Sequence, residues 1–84
     1  MENIRAVGKV THFFGRINVA VIAVKDTISV GDQILIKGPL TDIEQTVDSM
    51  EIDHAKVMKA TVGQNIGMKL KGQVRENDMV YKRD

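Results

Sequence analysis

The sequence predicts an all-β fold, a small closed barrel of six strands. Three observations predict it. The 84 residues include 11 Val and 9 Ile but only 3 Leu, and branching at Cβ suits a pleated, half-buried surface better than a helix. Short apolar runs recur with a period of two. Between them, at regular spacing, stand turns containing a Gly or Asn able to adopt positive φ. The length fits one domain, residues 1–84, which buries only roughly 60–65% of its unfolded surface and needs an efficient core.

Ala6 to Phe14 reads as the first strand, with Gly8 permitting a bulge. Gly15-Arg16 begins a turn. Ile17 to Val24 is almost continuously apolar, as in a strand buried on both faces. Lys25-Asp26 breaks it. Ile34 and Ile36 alternate with Gln33 in a third strand, stopped by Gly38-Pro39 because Pro39 has no N–H for a ladder. In the fourth strand, Ile43 and Val47 share one phase, whereas Met50 and Ile52 share the other. A bulge or bend near Asp48-Ser49 reconciles them. His54 to Ala60 could form one short helical turn. Ile66, Met68 and Leu70 mark the fifth strand, and Met79 to Lys82 the sixth. Val30-Gly31-Asp32, Val62-Gly63-Gln64 and Arg75-Glu76-Asn77-Asp78 each feed a strand. The expected core includes Val21, Ile34, Ile36, Val47, Ile66 and Leu70.

No Cys is present, so disulfides and thiolate chemistry are excluded. No apolar run is long enough for a membrane helix. Met1 to Arg5 lacks the pattern of a secretory leader, and a cytoplasmic location is expected. Net charge is +1. Asp42, Glu44, Asp48, Glu51 and Asp53 lie in a stretch without Lys or Arg, while the rest of the chain carries 12 bases and six acids. An acidic edge on an otherwise basic surface follows, or simply solvated charge.

Catalytic chemistry finds little support. His12 and His54 are not clustered with metal-ligand spacing, so no metal is expected. Asp42 with Glu44, or Glu51 with Asp53, could share a strand face, but nothing apolar beside them suggests a raised pKa. Ser29 and Ser49 sit in no nucleophile elbow. Gly63-Gln64-Asn65-Ile66-Gly67 lacks the Lys and the helix of a phosphate loop, so no nucleotide or other cofactor is expected. Met50, Met68 and Met79 fall in core phase. The chain is not expected to be an enzyme or to take a small-molecule substrate. Lys9, Thr11 and Phe13 share one phase of the first strand and Arg16 follows, a pattern compatible with single-stranded RNA.

Val30-Gly31-Asp32-Gln33-Ile34, Val62-Gly63-Gln64-Asn65-Ile66-Gly67 and Val74-Arg75-Glu76-Asn77-Asp78-Met79 together resemble domain 2 of elongation factor Tu and its relatives, from about Ala6 to Lys82. Asn77 stands where that family often has Gly. Gly8 to Arg16 and Gln45 to His54 are similar to the small C-terminal barrel of collagenase-like peptidases, some of which act in RNA hydroxylation. The resemblance implies a translation-factor domain 2-like barrel of Greek-key type. It carries over neither GTP hydrolysis nor proteolysis, since the phosphate loop, the GTPase domain and the peptidase domain are missing. By the elongation-factor resemblance, Gly15-Arg16 stands where an arginine lies near the 3′ end of transfer RNA.

Two functions are carried forward. One is a stand-alone, non-catalytic module that binds RNA, the ribosome or a translation-related partner through Lys9, His12 and Arg16. The other is a protein-interaction module that docks on a separate catalytic chain without touching RNA. No membrane partner is expected.

Overall fold

The structure, a computed structural model, describes residues 3–83. Met1 and Glu2, part of the segment read for a leader, lie outside the described residues, as does Asp84. Among the described residues ten strands form and no helix does: β1 (Ile4–Phe14), β2 (Val19–Val24), β3 (Ile28–Ser29), β4 (Gln33–Gly38), β5 (Thr41–Thr46), β6 (Met50–Ile52), β7 (Ala55–Val57), β8 (Lys59–Ala60), β9 (Asn65–Lys69) and β10 (Met79–Arg83). Eight of them make one antiparallel ladder in the order β5-β4-β10-β1-β2-β9-β6-β7, and β3 pairs with β8. The His54–Ala60 stretch, expected as a helical turn, is instead β7 and β8. A type I′-like turn with φ of 51° at Asp53 and 67° at His54 reverses the chain between β6 and β7, which favours a hairpin there.

The three turns foreseen in the sequence share one geometry. In Ser29–Asp32, Thr61–Gln64 and Arg75–Asp78, the first residue's N–H donates to the side chain of the fourth, at 2.8, 2.8 and 2.9 Å. The fourth residue's N–H donates back to the first carbonyl at 3.0, 3.2 and 3.1 Å. The third residue has positive φ: 96° at Gly31, 91° at Gly63 and 75° at Asn77. A type II-like turn requires that conformation, and Asn tolerates it next best after Gly.

The core is one cluster from Val7 to Val80. Ile34, Ile36, Val47, Ile66 and Leu70 are buried as expected, but Val21 is not. β2 alternates strictly: Ala20, Ile22 and Val24 face in, while Val19, Val21 and Ala23 are half-buried outside. The strand therefore has one covered face, not two. Met50 and Met68 are core residues, whereas Met79 is only half-buried. β1 shifts register at Ala6/Gly8, the foreseen bulge, and again between Val10 and His12. The second shift inserts Thr11. It places His12 opposite Val21 and turns Phe13, opposite Ala20, against the core, so Lys9, Thr11 and Phe13 do not share a face.

The ladder does not close, so the expected closed six-stranded barrel gives way to an open, curled sheet. β6 lies six neighbours from β5, about 29 Å across a flat sheet, yet Val47–Ser49 can span at most about 14 Å. The sheet must curl to bring its ends together. At the resulting seam no ladder pairing joins the two ends, and Leu70 N–H donates to Asn18 C=O at 2.7 Å. A side chain bridges instead: Gln45 Nε2 donates to Lys69 C=O at 3.3 Å, and Lys71 N–H donates to Gln45 Oε1 at 3.0 Å.

Candidate functional site

The sequence singled out Lys9, His12 and Arg16. Lys9 pairs with Ala23 and His12 with Val21, so both stand on the outer face of β1, in successive rows roughly 7 Å apart. Phe14, opposite Val19, continues the line. Arg16 is exposed in the turn beyond the strand. The line is not a clear basic groove. His12 Nδ1 lies 3.4 Å from the Glu76 carboxylate, and its ring meets Phe14 at 4.4 Å between centroids, tilted by 59°. An acid thus stands where a phosphate would have to approach.

The carboxylates of the acidic stretch separate. Asp42 pairs with Lys37 at 2.9 Å, and Glu44 with Arg83 at 3.0 Å, both on the β5 side. Glu51 and Asp53 belong to the β6–β7 hairpin at the other end of the ladder. A single acidic edge is not formed. Among the described residues, no group of three His, Cys, Asp or Glu side chains gathers to hold a metal.

The outer face of β1, β2 and β9 carries what the sequence reading missed. Phe14 is 47% exposed and Ile17 59%. With Val19 and Val21 they wall a groove of about 480 Å³, whose other side includes Asp53 and His54. The signal was present: Gly67 holds an outward position inside β9 between the inward Ile66 and Met68, and a strand-interior glycine often marks close approach of a ligand or another backbone.

A fold of this kind has been solved. The C-terminal domain of a candidate U32 peptidase from Geobacillus thermoleovorans superposes with a TM-score of 0.89, covering 94% of this chain and 92% of that one at 17% identity. Curated relatives are closer in sequence. An uncharacterized protease of Methanocaldococcus jannaschii is 41% identical over 76 residues, 89% of this chain but 19% of that protein. A collagenase of Porphyromonas gingivalis is 38% identical over 80 residues, 93% of this chain and 22% of that protein. The chain thus spans about a fifth of the length of the curated relatives it matches. These relatives support the collagenase-like resemblance, and none of them is an elongation factor. No family model matches the chain. Among the described residues, no helix is long and apolar enough to cross a membrane.

Proposed function

We propose that the chain is a non-catalytic docking module that packs against a protease-like catalytic unit. The observation that carries this reading is the lopsided coverage: the similarity spans nearly all of this chain and only about a fifth of each protease-like relative. Two features of the chain support it. Among the described residues, the acids of the 42–53 stretch are engaged in ion pairs or lie at opposite ends of the ladder, and no three His, Cys, Asp or Glu side chains gather. Its outer face leaves Phe14 and Ile17 in water, and contiguous exposed apolar surface marks interaction sites.

The competing RNA reading loses support from Glu76, which occupies the middle of the Lys9–His12–Arg16 line. Cross-linking mass spectrometry on cell extract of the source organism tests the proposal. Lysines of the chain are expected to cross-link to a protease-like polypeptide, whether or not the extract is treated with ribonuclease. Cross-links chiefly to ribosomal proteins, or their loss on RNA digestion, would overturn it.

A further inference from the structure

One cross-sheet row on the outer face runs His12–Val21–Gly67–Glu51–Lys56, through β1, β2, β9, β6 and β7. Its central member has no side chain. Val21 and Glu51 therefore flank a dip one residue wide, floored by the Gly67 backbone. The dip joins two concavities. The larger is walled by Phe14, Ile17, Val19 and Val21 and carries Glu51, Asp53 and His54. The smaller includes Lys56 and Lys69.

Three observations make this more than an unpartnered face. Gly67 does not owe its identity to backbone conformation or crowding: its φ is not positive, and an added Cβ would meet only Val19 Cγ1, at an ordinary 3.7 Å. Asp53 and His54 both hold left-handed backbone at the mouth of the groove, in a two-residue turn where Asn-Gly is the favoured pair. Non-glycine residues in that region carry a conformational cost that often accompanies a functional demand on the side chain. Finally, the larger groove is lined by acids and by no Lys or Arg. Neither Glu51 nor Asp53 forms an ion pair among the described residues.

We infer that the trough over Gly67 seats an extended segment of the protein partner, with apolar side chains on Phe14, Ile17, Val19 and Val21 and a basic residue at Asp53. This rests on the docking reading above and names its contact. The lysines of the smaller concavity fix the polarity of the segment, because its basic residue must point away from Lys56 and Lys69. Apolar contacts supply most of the binding, and the charge selects orientation and partner.

The test is a titration of the 84-residue chain, by amide NMR, with synthetic peptides of about eight residues. One peptide has a Leu-rich centre and Lys at one end; its twin has Glu there. The Lys peptide is expected to shift the amides of Val19, Val21, Gly67, Asp53 and His54, and to bind roughly tenfold more tightly than its twin. Asp53→Asn should remove most of that preference. Gly67→Gln should abolish binding while leaving the melting temperature unchanged or raised, which separates a filled trough from an unfolded protein. Equal binding of the twins, shifts mapping elsewhere, or unchanged binding by Gly67→Gln would overturn the inference. So would sedimentation of the chain alone as a dimer closed by this face. The peptides contain no protease, so this result can fail while the cross-links stand, and the reverse.

Discussion

Glycines at two positions answer different demands, and substitution separates them. Gly63 has φ of 91° and nothing within 4 Å of the place an added methyl group would occupy. Gly63→Ala should therefore cost about 1–2 kcal/mol through backbone strain alone. Gly67 lacks that constraint, so Gly67→Ala should be neutral or stabilise by about 0.5 kcal/mol. Urea unfolding of the two variants checks the contrast, and equal losses would refute it. Two aspartates provide a second contrast. Asp32 Oδ2 accepts the Ser29 N–H at 2.8 Å and lies 3.3 Å from Lys82 Nζ, whose side chain is only 14% exposed. Asp42 pairs with Lys37 in the open. Asp32→Ala is expected to cost about 2 kcal/mol because it strips a turn acceptor and leaves a sheltered ammonium with Thr27 C=O as its remaining partner. Asp42→Ala should cost no more than about 0.5 kcal/mol. Thermal melts at matched pH would show whether the order holds.

Elements meet at the seam, where Gln45 substitutes for ladder pairing between β5 and the chain after β9. Gln45 is 7% exposed and serves both as donor and as acceptor. Gln45→Leu keeps the volume but leaves Lys71 N–H and Lys69 C=O without that partner. A loss of about 1–3 kcal/mol is expected, together with faster hydrogen exchange at the Lys71 amide than in the parent. Unchanged exchange at Lys71 would mean that the bridge does not hold the seam. The turns were legible beforehand because their chemistry is local: Gly31, Gly63 and Asn77 announce positive φ, and Asp32, Gln64 and Asp78 supply the acceptors. The Thr11 bulge was not legible. Nothing within β1 distinguishes a bulged Thr from a paired one, and the register is decided by the partner strand β2.

Across the whole molecule, one contiguous core implies a single cooperative unfolding transition. Neighbouring residues of β2 measure which face that core occupies. Ile22→Ala should cost about 2–5 kcal/mol. Val21→Ala, on the outer face, should cost less than about 1 kcal/mol in the free chain. Calorimetry of the two variants tests this; comparable losses would require Val21 to be covered within the chain itself. The same outer position, with Phe14 and Ile17, is where the docking partner is proposed to lie, and on that proposal Val21 is apolar for a reason outside the fold.

That distinction divides what each level of description determined. Composition and alternation pointed to an all-β chain, foresaw the regions of β1, β2, β4, β9 and β10 and of β5 with β6 as one strand, missed β3, β7 and β8, and identified five of six expected core residues, because strand burial has a period that the sequence records directly. The sequence also held the collagenase-like resemblance on which the functional reading draws. The open, curled form of the sheet, the second bulge and the apolar groove on the outer face came only from the tertiary structure. Each depends on contacts between residues distant in sequence: Gln45 with Lys69, Thr11 with the β2 register, and Gly67 lying between Val21 and Glu51. An apolar run such as Ile17–Val24 reads alike whether its second face meets its own core or waits for another chain, since the hydrophobic effect depends on area removed from water and not on which polypeptide covers it.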